Sequence, residues 1–225
     1  LVDTLLDFQD AVIGYEADIP LISDLNLRIT RGSHVVITGS CGVGKSAIVK
    51  TILGLLNHWK GEYYAFGRDM GNPSAPLLSY VRKKIGILPD RGILLQHLTV
   101  FQNIALPLRY GHFVPLEKVT ALLEPFLEEF HLEDLLDSYP SSLNLDQIKK
   151  VGFVRALINN PDLCILDDPF EGLDDEGIEA FWRRLTLIDS EKEITVLVFT
   201  RKSMNRKSYF NHRYHLMSDG LHEVS

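Results

Sequence analysis

The sequence predicts an α/β fold, and three observations carry that prediction. A β-branched run, His34 to Thr38, stops at a glycine-rich segment, and from Lys45 the pattern turns helical with Ile48, Ile52 and Leu55 on one face. Leu163 to Leu166 and Ile194 to Phe199 are uninterrupted apolar runs of strand length, as buried strands require. The stretch between the first strand–helix unit and these runs has mainly helical period.

Taken in order, Leu5 to Ile13 and Leu25 to Ile29 alternate in the strand manner, with Arg31-Gly32 as a turn. Strand, glycine loop and helix over 34–55 is the order of a phosphate-binding α/β unit. Phe101 to Leu108 and Leu116 to Phe130 read as helices, the second with Val119, Leu122, Leu123, Phe126 and Leu127 apolar. Leu145 to Asn159 is a further helix closed by Asn160-Pro161, and Glu176 to Ile188 another between the two buried strands. His215 to Met217, Asp219-Gly220 and Leu221 to Val224 suggest a closing hairpin. The expectation is one domain over 1–225, with 1–75 and 161–225 as the α/β core and a helical insertion over 76–160.

At 225 residues the chain is long enough for one sizeable core and short for two independent domains. A net charge of -7 argues against a non-specific nucleic-acid coat. The two cysteines, Cys41 and Cys164, form neither a zinc pattern nor a disulfide framework, which favours a reducing compartment. No apolar run approaches the roughly 20 residues that span a bilayer, and no basic-then-apolar leader is seen. Membrane association is therefore expected through a partner.

Gly39-Ser40-Cys41-Gly42-Val43-Gly44-Lys45-Ser46 matches G-x-x-x-x-G-K-[ST] without a gap. The glycines let backbone N–H groups turn toward phosphate oxygens at a helix amino terminus. Lys45 supplies positive charge to the outer phosphates, and the Ser46 hydroxyl is a magnesium ligand candidate. Leu163-Cys164-Ile165-Leu166-Asp167 ends a strand on a carboxylate, and Asp167 is the second metal candidate. An Asp after a strand is often only a helix cap; the phosphate loop gives this one its meaning.

With these residues in place the sequence resembles the ATPase subunits of ABC transporters over essentially its whole length. The resemblance implies a P-loop NTPase core of ABC-ATPase type, a helical subdomain and an antiparallel β subdomain, with ATP and Mg2+ as ligands. Tyr15, after Ile13-Gly14, matches the aromatic that stacks on adenine, although a plain edge-strand aromatic is the other reading. Tyr139-Pro140 and the helix with Arg155-Ala156-Leu157 look like the signature helix. Asp167-Asp168-Pro169 and Gly172-Leu173-Asp174 look like the catalytic-acid and dimer-contact loops, which makes Asp168 the candidate base. Leu98 to Ile104 resembles the stretch facing the membrane subunit. Val100 to Leu108 and Pro169-Phe170 are similar to lipid-trafficking ATPases of the Mla type, and the cell-division ABC ATPases share some of these features.

Several departures fall in the catalytic set. The usual L-S-G-G-Q reads Leu143-Asn144-Leu145-Asp146-Gln147, where Asn144 retains a hydrogen-bond donor and Asp146 would repel phosphate. Asp168 replaces the usual Glu, setting the carboxylate one methylene back. Asp90 aligns with the magnesium-sensing glutamine and is kept as a metal candidate, and Arg201 aligns with the switch histidine. The expectation is a subunit that binds Mg-ATP, turns over slowly, and couples dimer closure to integral membrane permease subunits on the cytoplasmic face of the inner membrane. A homodimer is favoured over a heterodimer, because this chain alters both features that serve opposite sites. The rivals are a non-hydrolysing ATP-binding subunit and a soluble ABC protein acting on nucleic acid or the ribosome; negative charge and a single cassette weigh against the last.

Overall fold

The computed structural model describes residues 3–16, 19–111, 114–191, 193–202 and 206–224. The chain forms two compact units, Leu1–Lys84 with Ile194–Ser225, and Ile85–Glu193.

In the first unit, β1 (Thr4–Ile13), β2 (Ile22–Thr30), β4 (His58–Ala65) and β5 (Arg68–Asp69) form an antiparallel sheet in the order β2-β1-β4-β5. β1 is not strictly alternating because its register shifts at Phe8/Ala11, where Asp10 takes a left-handed φ of 48°. Gly61 on the partner strand has to be glycine there: a Cβ would lie 2.3 Å from the Asp10 carbonyl oxygen. In the same unit β3 (His34–Thr38) runs parallel to both β8 (Thr195–Thr200) and β9 (His212–Met217), and β10 (Gly220–Glu223) closes on β9 as a hairpin. Paired on both sides, β3 is buried over His34 to Ile37, as its continuous apolar run predicts. The closing hairpin begins at His212 rather than at His215, because its first residues are polar and give no apolar alternation. α1 (Lys45–Ile52) follows the glycine loop, and α2 (Ala75–Lys83) is capped by Ser74 and leads toward the second unit.

The second unit holds a parallel pair, β6 (Ile85–Leu88) with β7 (Leu163–Asp167), and the helices α3 (Val100–Gly111), α4 (Leu116–Phe130), α5 (Leu145–Leu157) and α6 (Asp175–Glu191). The stretch over 76–160 is thus not purely helical. Ile85-Gly86-Ile87-Leu88 is too short for its period to be read, yet it pairs with β7 and lies under α5. The approach is close enough that a Cβ on Gly86 would lie 1.9 Å from the Ala156 carbonyl oxygen. α5 is buried nearly all round, and its Phe153 stacks on Phe181 of α6 at 3.9 Å, with Phe130 of α4 edge-on to both at 5.7 Å. Arg184 of α6 ion-pairs with Glu129 of α4 and covers the Phe126 ring, closing that side of the cluster.

Candidate functional site

The phosphate loop is built by β3 and α1. Gly42 and Gly44 take φ of 80° and 117°, which side chains resist, and a Cβ on Gly44 would also meet Ile22 at 2.9 Å. Gly39 is anchored by its N–H to the Thr200 carbonyl at the end of β8, and Arg201 follows at once, exposed. The Lys45 ammonium donates to the carbonyls of Gly39 (2.7 Å) and Ser40 (2.8 Å), folding back along the loop. α1 starts on Gly44 with no side-chain cap and no acidic residue in its first turn. Its amino-terminal N–H groups and dipole thus have no side-chain acceptor or acid set against them, and that donor set fits a nucleotide's phosphates. Ser46, Ser40 and Cys41 are exposed and Val43 is half-buried within the loop.

Tyr15 is exposed, at 57%, and its hydroxyl accepts a hydrogen bond from Lys50 of α1 at 3.0 Å. The same ammonium lies 5.1 Å from the ring centroid, so it sits at the hydroxyl end and not over the ring face. Phosphate loop and Tyr15 are thus joined through α1.

In the second unit Asp167 ends β7, buried, and Asp168 follows with a left-handed φ of 43°. Asp90, Asp168 and Glu171 bring carboxylate oxygens within 4.8 Å of one another. Lys149 of α5, 1% exposed, lies at this cluster and donates to the Asp168 carbonyl at 2.7 Å. Burial lowers the Lys149 pKa, opposed by the charges of Asp90, Asp168, Glu171 and Asp167. Each unit offers hard oxygen of the kind magnesium takes, the Ser46 hydroxyl in the first and the carboxylates of Asp167 and Asp90 in the second. Lys149 and Glu171 were not singled out by sequence, because only the fold brings α5 to the turn after β7.

The signature segment is fixed by local contacts. Asn144 caps α5: its Oδ1 accepts from the Gln147 N–H at 2.9 Å, and Gln147 returns a bond to the Asn144 N–H at 3.0 Å. Asp146 ion-pairs with Lys150 at 2.7 Å, a spacing of four residues that was legible in the sequence. Its charge is locally balanced, so the repulsion expected from it is reduced. Leu145 lies against Gly172, where a Cβ would come within 2.5 Å of Cδ2.

Comparison with known proteins agrees with this architecture. The profile of the family described as "ABC transporter" matches residues 22–171. The chain belongs to that family. A methionine import ATP-binding protein MetN of Carboxydothermus hydrogenoformans is 32% identical over 181 residues, 80% of this chain and 53% of the relative. MetN 2 of Enterococcus faecalis is 32% identical over 189 residues, covering 84% and 54%. The chain thus spans about half the length of the curated relatives it matches. Among solved structures, an ATP-binding subunit of an ABC transporter superposes with a TM-score of 0.86 at 27% identity, covering 98% of this chain and 90% of that one. The fold is also that of the dimeric cassette MJ0796 bound to ADP and Pi, at a TM-score of 0.88, 24% identity and 98% of each chain. No helix among the described residues is long and apolar enough to cross a membrane.

Proposed function

We propose that this ABC-family chain is the ATP-binding subunit of a membrane transport complex, binding Mg-ATP and coupling closure of two ATPase subunits, with slow hydrolysis, to a permease. The observation that carries the reading is the uncapped amino terminus of α1 beneath left-handed glycines, with Lys45 folded along the loop. Gly39 to Ser46 hold the phosphates, Tyr15 the base, and Ser46 with Asp167 and Asp90 the magnesium. Asp168 is the base that takes a proton from the attacking water. Bound magnesium supplies charge for the phosphates.

The permease contact is assigned to 90–108. Asn103, fully buried, accepts from the Leu95 N–H and donates to the carbonyls of Leu95, Leu98 and Thr99. Arg155 holds the Ile93 carbonyl at 2.7 Å. The loop so fixed displays Ile93 and Leu95 to solvent, apolar surface suited to a membrane subunit. The complex sits at the cytoplasmic face of the inner membrane with this subunit peripheral, as a homodimer in preference to a heterodimer. Calorimetry tests the core of the reading: Mg-ATP binds the wild type, and Lys45→Ala weakens binding about a hundredfold or more, the loss of a charge-assisted contact to phosphate. Equal affinity in the variant rejects it.

A second reading, a subunit that binds ATP without hydrolysing it, is favoured by one feature: where the family has two glycines the signature segment carries Leu145, seated against Gly172, and Asp146, paired with Lys150. Phosphate release with the native partner separates the two.

A further inference from the structure

Tyr15 follows a backbone constrained on every side. A Cβ on Gly14 would meet the Ile19 carbonyl oxygen at 2.8 Å and Pro20 Cα at 3.1 Å, and the Leu21 N–H bonds the Ile13 carbonyl at 2.8 Å. Trp59 of β4, with 44% of its surface exposed, donates its indole N–H to the Gly14 carbonyl at 2.8 Å. Lys50 of α1 holds the hydroxyl end of the Tyr15 ring at 3.0 Å. The tyrosine is thus tied at its backbone to the antiparallel sheet and at its tip to the helix that starts from the phosphate loop. Lys50 lies five residues beyond Lys45, about 7–8 Å along the helix axis. Neither contact covers the ring face: the indole bonds the main chain, and the ammonium lies beyond the hydroxyl.

We propose that Lys50 and Trp59 are positioning residues that fix the Tyr15 ring as a platform for the base of a bound nucleoside triphosphate. The inference rests on the nucleotide reading of the phosphate loop and goes beyond it, since neither residue belongs to that loop. A ring held at both ends loses little side-chain freedom on stacking, which is the physical advantage of holding it. The two residues act through Tyr15 only, so they act on ligands that carry a base.

The test compares calorimetric affinities for Mg-ATP and Mg-tripolyphosphate, which shares the phosphate chain and lacks the base. The variants are Lys50→Met, Trp59→Phe, Tyr15→Ala and the double variant Lys50→Met/Tyr15→Ala. Loss of one hydrogen-bonded tether is expected to weaken ATP binding by about threefold to tenfold and leave tripolyphosphate unchanged. In the Tyr15→Ala background Lys50→Met has no further effect, because the group it positions is gone. Lys50 is exposed on α1, so its variant remains informative even where Trp59→Phe disturbs β4. Equal weakening of both ligands, or additive losses in the double variant, overturns the positioning role while the nucleotide reading stands. A wild type that binds neither ligand rejects both.

Discussion

Asp168 stands in a left-handed conformation, φ 43°, that Asp adopts far more readily than longer side chains. Restoring the family's Glu therefore has two opposed effects. Reach improves by one methylene, where a misplacement of roughly 1 Å can cost about a hundredfold. Backbone strain takes back part of it, on the order of 1 kcal/mol. Asp168→Glu is expected to speed phosphate release about tenfold with the native partner present; no gain would mean that carboxylate reach does not limit the rate. Lys149 gives a prediction of a different kind. Lys149→Met takes the ammonium away from Asp90, Asp168 and Glu171 and breaks its bond to the Asp168 carbonyl; because those carboxylates are half-exposed or exposed, the cost is that of one charge-assisted hydrogen bond, about 2 kcal/mol near neutral pH. Lys149 itself has a lowered pKa, so in the wild type its titration adds stability as pH rises. A melting temperature that is lower in the variant at neutral pH, and that loses the wild type's rise with alkaline pH, is the expected result; an unchanged one contradicts the assignment. At this scale the phosphate loop was legible because its chemistry is contiguous, whereas Lys149 and Glu171 were not, because they meet Asp90 and Asp168 only through tertiary structure.

At the scale of elements, α5 shows how much a linear pattern can mislead. Asn144 and Asp146 stand in the signature segment as a donor and a repulsive charge, but the helix also takes the Asn144 Oδ1 as its cap, which leaves the amide donor in place, and it pairs Asp146 with Lys150. Asp146→Gly, a repair toward the family pattern, would strand the Lys150 ammonium, whose side chain is only 11% exposed, and remove an acid from the helix's first turn. A loss of about 2 kcal/mol is expected, read as a lower urea midpoint with an unchanged slope, and Asp146→Gly/Lys150→Met should recover much of it. An unaltered midpoint in the single variant would show that the pair contributes nothing. The elements read well from sequence were long or capped: α4, α5 and α6 lie within a few residues of the expectation, and β3, β7 and β8 were marked by uninterrupted apolar runs. β6 was lost inside the expected helical insertion because four residues carry no period, and β4 because Trp59-Lys60-Gly61-Glu62 is exposed and gives no apolar alternation.

For the whole molecule the open question is what completes it. In the proposed complex each nucleotide meets the phosphate loop of one subunit and the signature segment of the other, so base and signature on one chain serve opposite sites. Asp168 and the Leu143 to Gln147 segment are both altered here. A partner of the ordinary pattern would leave each of the two sites half altered, whereas a second copy makes the sites identical. With both sites equivalent, Mg-ATP should convert the chain from monomer to dimer, the more completely the slower it is hydrolysed, because a ligand that binds one state better shifts the equilibrium by its differential affinity. Sedimentation velocity with Mg-ATP should then show one dimeric species, absent with Mg-ADP and absent for Lys45→Ala. Its stoichiometry should be two nucleotides per dimer with a single class of hydrolysis rate. A chain that binds Mg-ATP fully yet sediments as a monomer at every concentration would reject the homodimer, and a mixed dimer on adding a second ATPase would put the heterodimer in its place.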